Sequence, residues 1–163
     1  MSKDLTYVVE GLGDLRMKMT TAYHMMIGGS SRTGKSATLR SILFQLMLMP
    51  APIEVVLVDM EGRTFSAFQG LPRIKFPVAE NLEDSTKLTA WLMEEVDRRN
   101  AILDTNPYHP ENLGEHHDAL RKLHGGQLPD EMRLPWIVAV FDEFTALLDQ
   151  AGKQSAFYHN ITQ

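Results

Sequence analysis

Gly29-Ser30-Ser31-Arg32-Thr33-Gly34-Lys35-Ser36 is the stretch that decides how this chain is read. It fits G-x-x-x-x-G-K-[ST], the phosphate-cradling loop, a pattern that carries weight only between a strand and a helix. Upstream, the apolar run Tyr23-His24-Met25-Met26-Ile27 closes on Gly28 and Gly29, as expected of a short buried strand. Downstream from Lys35, the residues Leu39, Ile42, Leu43, Leu46, Met47 and Met49 fall on one helical face until Pro50 and Pro52 stop the helix. Glycines let such a loop curl so that successive N–H groups and the positive end of the helix dipole face one anion. Gly29, Ser30, Ser31, Arg32, Thr33, Gly34, Lys35 and Ser36 are therefore the candidate ATP-binding residues. Lys35 would reach the β and γ phosphates, and the Ser36 hydroxyl would bind Mg²⁺, a hard ion that takes oxygen ligands.

Working outward, Ile53-Glu54-Val55-Val56-Leu57-Val58-Asp59 is nearly continuous in apolar character and reads as a strand covered on both faces, with Gly62 turning the chain after it. Leu71 to Val78 alternates apolar and charged residues but contains two prolines, so any strand there is short or at an edge, with Arg73 and Lys75 guarding it. Asn81 or Asp84 caps a long helix that sends Leu88, Trp91, Leu92, Val96 and Leu103 to the core and ends before Pro107. Its Arg98-Arg99 pair reads as solvated. Asp104 to Pro135 is polar and rich in His, Gly and Pro; it reads as a surface connection with one short helix near Leu113 to Leu123. Trp136-Ile137-Val138-Ala139-Val140-Phe141 is a further buried strand, followed by a helix from about Glu143 to Leu148. Strands alternating with helices predict an α/β fold with a mainly parallel sheet flanked by helices.

The last of these strands delivers Asp142-Glu143 to the carboxyl edge of the sheet, where open α/β folds bind ligands. Asp142 would share Mg²⁺ with Ser36. Glu143 would orient or deprotonate the water that attacks the γ phosphate, which makes Glu143 and Lys35 the candidate catalytic pair. Either acid alone would be an ordinary helix start; next to the loop they form a second half of one site.

Size and composition agree with this picture. The 163 residues suit a single domain, and 44% hydrophobic with 23% charged residues is the balance of a globular chain rather than a disordered or fibrous one. There is no cysteine, hence no disulfide framework or thiolate metal site, and no secretory leader in Met1-Ser2-Lys3-Asp4. The longest apolar run is broken by Gln45 and is too short to span a bilayer, so a cytoplasmic location is expected. A net charge of -5 argues against a generally basic surface. His109, His116, His117 and His124 share one polar segment without a helical ligand spacing and read as solvated loop residues; the ten methionines and Trp91 read as core.

Beyond the nucleotide motifs, the chain resembles the motor domain of the FtsK/SpoIIIE translocase family. The residues that carry the likeness are His24-Met25-Met26-Ile27-Gly28-Gly29, Val56-Leu57-Val58-Asp59, Gly70-Leu71-Pro72, Pro77-Val78, Trp91-Leu92, Glu94 to Arg99, and Leu134-Pro135-Trp136-Ile137-Val138 leading into Asp142-Glu143-Phe144. The likeness runs from about Asp14 to the end. It implies a RecA-like ATPase core that works in a ring, usually a hexamer, and drives double-stranded DNA; a type VII secretion branch handles protein substrates instead. A module in which bound ATP cements subunits without turnover is a third reading. Where the family commonly has Pro-Lys after the aspartate of the second strand, this chain has Met60-Glu61, an acid in place of a cation. The family domain also continues with a sensor strand and an arginine finger, so residues 1–163 resemble one partial domain of a larger, perhaps membrane-anchored, motor and should turn over ATP weakly alone.

Overall fold

The computed structural model describes residues 6–9, 15–18, 24–29 and 33–162. In chain order the elements are the strands Thr6–Val9 (β1) and Leu15–Lys18 (β2), the helix Lys35–Leu48 (α1), the strand Ile53–Asp59 (β3), the helices Leu82–Asp104 (α2) and Leu113–Leu123 (α3), the strand Trp136–Asp142 (β4), and the helices Phe144–Ala151 (α4) and Ala156–Thr162 (α5). β1 and β2 form an antiparallel pair, and β3 and β4 a parallel one running from Ile53↔Trp136 to Asp59↔Asp142.

β3 is the centre of the molecule because it has no polar face to offer. Ile53, Val55 and Leu57 point to one side and pack with Ile42, Leu43 and Leu46 of α1 and with Phe65 and Phe68. Val56 and Val58 point to the other and meet Leu88 of α2, Leu147 of α4 and Phe157 of α5. A parallel sheet is stable only when both faces are covered in this way, each fully buried aliphatic side chain contributing about 1.5–3 kcal/mol. The result is helices on both sides of a parallel sheet, the α/β architecture expected of a RecA-like domain.

On its other edge β3 is joined by a broken strand. Ile74 bridges Val55 and Ala79 bridges Val58, both in parallel, through hydrogen bonds at Arg73, Lys75 and Ala79. Pro77 has no N–H to donate, so the ladder is interrupted, as the prolines predicted. Arg73 is more than an edge guard, however. Its guanidinium donates to the carbonyls of Met49 and, at 2.8 Å, Ala51, satisfying acceptors just past the end of α1 where a cation is favoured. Lys75 pairs with Glu54 at 2.7 Å and lies 5.4 Å over the Trp91 ring.

α2 begins where expected: the Asn81 side chain accepts from the Asp84 N–H at 2.9 Å. Leu88 is buried and Trp91 and Leu92 pack on the second core, but Val96 is exposed. The 23-residue helix is longer than its seven-residue neighbours in the sheet, roughly 35 Å against 23 Å at the rise of each element, so its later turns overrun the strands. Arg98 faces solvent, whereas Arg99 does not: it donates to the Pro135 carbonyl at 2.7 Å and to Glu95 at 2.7 Å, pinning the entry to β4. Hydrogen bonds from Arg98 and then Arg99 hold the Glu95 carboxyl down at about 2, against the opposing effect of burial.

Two expectations need correction, and the bounds of a third shift slightly. Residues 24–29 belong to no strand, and Tyr23 lies outside the described residues; Ile27 packs on the α1-side core but Met26 is exposed. A five-residue apolar run does not by itself distinguish a strand from an extended lead-in, because only a neighbouring backbone makes it a strand. The helix expected from about Glu143 to Leu148 is α4, which starts one residue later at Phe144, with Glu143 as its N-cap, and runs on to Ala151. Finally, the segment from Asp104 to Pro135 is not simply a solvated connection. α3 within it buries His116, His117 and Ala119, with His116 Nδ1 3.1 Å from Asn106 Nδ2. Asn112 caps α3 by accepting from the Glu115 N–H, so the polar sequence was spent on caps and buried contacts rather than on solvation.

Asp59 organises the turn that follows β3. Only 1% exposed, it accepts from the N–H groups of Glu61 at 3.3 Å, Gly62 at 3.1 Å, Thr64 at 2.7 Å and Phe65 at 3.0 Å. Gly62 has φ +65°, which a side chain rarely tolerates, and the chain reverses there. Asp59→Asn replaces one acceptor oxygen with a donor facing N–H groups; chemical denaturation should show it destabilised by about 2–4 kcal/mol.

His117 supplies a second measurable consequence. Burial, reinforced by the nearby positive groups His116, Arg121 and Arg133 and opposed by Asp118, pushes its imidazole down to about 4, and its Nε2 has no hydrogen-bond partner among the described residues. The unfolded chain binds a proton near 6.5 and the folded chain does not, so stability present above 6.5 is lost as pH falls toward 4. His117→Gln should lose roughly 2 kcal/mol less than the native chain between pH 7 and 4.5, read from thermal unfolding of the two side by side.

Candidate functional site

Of the phosphate-loop octet, Gly29 and Thr33 to Ser36 are described, and Ser30, Ser31 and Arg32 lie outside the described residues. Gly34 has φ +94°, a conformation that favours glycine, and sits immediately before the first residue of α1. A Cβ on Gly29 would lie 2.5 Å from Thr33 Oγ1, so that hydroxyl would have to turn away from any larger residue. The glycine at each end of the pattern thus has a local reason.

α1 starts with Lys35 and Ser36, and both reach across to the end of β4. Lys35 Nζ is 2.7 Å from Glu143 Oε1 and 3.4 Å from Asp142 Oδ1. Ser36 Oγ lies 3.5 Å from Asp142 Oδ2. Residues more than a hundred positions apart, singled out separately by their motifs, therefore meet in one cluster. The register explains it: pairing Asp59 with Asp142 puts the end of β4 level with the end of β3, beside the helix that packs over that face.

Asp142 is 3% exposed and every side of its carboxylate is occupied. Oδ1 accepts from the Glu143 N–H at 2.9 Å and faces Lys35, while Oδ2 accepts from Thr64 Oγ1 at 2.6 Å and faces Ser36. Burial works to raise its pKa, but the hydrogen bonds from Thr64 and the Glu143 backbone, together with the Lys35 charge, outweigh it and hold the group below the usual carboxylate range. Lys35 is in turn raised above the ordinary lysine value, chiefly by its hydrogen bond to Glu143 and against partial desolvation. Glu143 keeps 43% of its side chain open to solvent, and its backbone is left-handed at φ +51°. With His109 it is one of two non-glycine residues of positive φ among those described, and such backbone is characteristic of sites where a side chain is held in a particular direction.

Two participants went unread in the sequence. Asp59 was seen only as a strand end and Thr64 not at all. The sole local signal was the spacing Asp59, Gly62, Thr64, which suits a carboxylate capping a tight turn; that Thr64 also reaches Asp142 depends on the sheet register. No group of three or more His, Cys, Asp or Glu side chains placed to hold a metal ion occurs among the described residues. A cleft of about 420 Å³ lined by Ile102, Asn106, His116, Leu120 and Met132 is built from a separate set of residues. No helix among the described residues is long and apolar enough to cross a membrane.

Comparison with known proteins gives the family. The chain is 26% identical over 137 residues to the DNA translocase FtsK of Campylobacter jejuni, covering 83% of this chain and 14% of that protein. It is 26% identical over 133 residues to the DNA translocase FtsK of Staphylococcus aureus, covering 80% of this chain and 17% of the relative. It thus spans less than a fifth of these relatives' length. Among solved structures, the monomer form of the pCW3 conjugation coupling protein TcpA, determined with ATPγS, superposes with a TM-score of 0.69 at 25% identity, over 99% of this chain and 42% of that one. The FtsK/SpoIIIE family profile matches residues 14–162, nearly the whole sequence, and the chain belongs to that family.

Proposed function

We propose that this chain is the ATP-binding and hydrolysing part of a motor that moves double-stranded DNA. One juxtaposition carries the reading: the lysine and serine that open α1 lie against the two acids that end β4, at 2.7 Å for Lys35 to Glu143 and 3.5 Å for Ser36 to Asp142. A glycine turn that merely capped a helix would need neither acid there. In this reading Gly29, Ser30, Ser31, Arg32, Thr33 and Gly34 wrap the phosphates with backbone N–H groups, and Lys35 brings its charge to the β and γ phosphates.

The donor set fits magnesium. A hydroxyl and a carboxylate 3.5 Å apart are hard oxygen ligands, and Mg²⁺ commonly takes only one or two such groups beside phosphate oxygens and water. Ser36 and Asp142 would hold it, and when bound it would offset charge developing on the phosphates. Asp142 stays ionised for this because its pKa is depressed. Glu143, with the more open carboxylate, orients the attacking water and accepts its proton.

Support for DNA as the substrate comes from the two relatives named above, both DNA translocases. Ring assembly, with a neighbouring subunit supplying an arginine to the ATP, rests on the family likeness; that arginine is worth about 10³ to 10⁵ in rate in related enzymes. Titration calorimetry with Mg·ATPγS tests the nucleotide site: micromolar binding by the native chain, weakened at least about tenfold in Lys35→Ala, is expected, and no binding by the native chain would overturn the reading. Glu143→Gln should bind ATPγS like the native chain while losing on the order of 10² or more of whatever hydrolysis the native chain shows. Hydrolysis that this variant leaves untouched would remove Glu143 from its assigned role.

A further inference from the structure

The shortest hydrogen bond made by Asp142 comes from a residue outside both nucleotide motifs. Thr64 Oγ1 donates to Asp142 Oδ2 at 2.6 Å, within the range of a strong charge-assisted bond, whereas Ser36 lies at 3.5 Å and Lys35 at 3.4 Å. Thr64 is 8% exposed and Asp142 3%, so bulk water has little room to replace that donor. We propose that Thr64 is a positioning residue for Asp142, holding the carboxylate in the direction from which it binds the metal of the nucleotide. The inference rests on the ATP-site reading above and deepens it.

The geometry gives Thr64 the means to do this. An aspartate carboxylate turns easily, because its last torsion is broad and two-fold. Thr64 is stiff by comparison: a β-branched side chain has few rotamers, and its own N–H is fixed to Asp59 Oδ2 at 2.7 Å. Asp59 sits on β3 directly opposite Asp142 in the ladder. The two strand ends, the turn and the hydroxyl therefore close a ring of contacts, from Asp59 through the Thr64 backbone and side chain to Asp142 and back through the β-ladder. A hydroxyl has one proton to give, and here it goes to Oδ2, the oxygen that also faces Ser36. Ser36 and Asp142 are the two groups assigned to the metal, so a carboxylate free to rotate would lose its alignment with the serine.

Outer partners of metal ligands typically account for 10- to 100-fold in metal affinity. The effect should appear in the metal-dependent part of nucleotide binding, not in nucleotide binding itself. The experiment is titration of the native chain, Thr64→Val and Thr64→Ser with ATPγS, in excess Mg²⁺ and again in EDTA. Valine keeps the shape and removes the donor; serine keeps the donor and removes a methyl group.

The expected result is equal affinity for all three in EDTA, within about twofold, with the Mg²⁺-dependent gain reduced about tenfold in Thr64→Val and retained within about threefold in Thr64→Ser. A Thr64→Val chain with the full native gain overturns the inference, as does a Thr64→Ser chain that loses as much as valine, since only packing would then matter. Should Thr64→Val fail to fold by thermal unfolding, Thr64→Ala against Thr64→Ser makes the same comparison, with the same outcomes decisive. A native chain that binds no ATPγS overturns the site reading beneath and this inference with it; a native chain that binds with a Mg²⁺ gain that Thr64→Val leaves untouched overturns only the role of Thr64.

Discussion

Parallel pairing of Ile53–Asp59 with Trp136–Asp142 places two carboxylates side by side at the end of the sheet, and both are buried, at 1% and 3% exposure. A buried charge without donors costs several kcal/mol, so the surroundings must satisfy each of them. Asp59 is satisfied by four backbone N–H groups of the turn that follows it; Asp142 is satisfied by Thr64, Ser36, Lys35 and the Glu143 backbone. The course of the chain from Met60 to Phe65 and the placement of the start of α1 both answer this one requirement.

How much of this could be read from the sequence follows from the range of each interaction. α3 was predicted at its observed bounds and α2 at its Asn81 cap, because periodicity and caps are decided within a few residues. β3 and β4 were legible because a continuous apolar run suits a strand covered on both faces. Lys35, Ser36, Asp142 and Glu143 were picked from motifs whose spacing reflects the chemistry they imply. What was missed depends on partners distant in sequence. Arg99, which reads as solvated, reaches Pro135, and Arg73, which reads as an edge guard, reaches the end of α1, so both charges are structural. His116 and His117 are buried by the amphipathic face of α3, which a count of histidines in a polar segment does not reveal. Thr64 is the functional instance of the same rule.

The turn after β3 tolerates a departure from the pattern that the family resemblance implies. Where the family resemblance implies Pro-Lys, Met60 and Glu61 occupy the start of a turn in which the Glu61 N–H donates to Asp59. The Glu61 side chain is exposed, and only its backbone N–H, which a lysine would carry as well, takes part in the turn. Loss of the cation is therefore compatible with an intact turn: what the turn needs from this position is an N–H, not a charge. Any contribution of a lysine there would lie outside the interactions that fold the loop.

The charge balance of the site constrains how it can hold a polyanion. Among the described residues of the site, Asp59, Asp142 and Glu143 stand against one ammonium, Lys35, in a chain whose net charge is -5. These described side chains taken alone would repel a triphosphate. In the proposed reading, attraction would also come from the N–H groups at the start of α1 and in the glycine loop, and from a divalent cation that arrives with the nucleotide and is matched by the acids. In the proposed reading, a site of this sign would favour the magnesium complex of the nucleotide over free nucleotide. The orientation of Asp142 then matters more than the number of charges around it, since the same carboxylate that attracts the cation when aligned only adds to the repulsion when it is not.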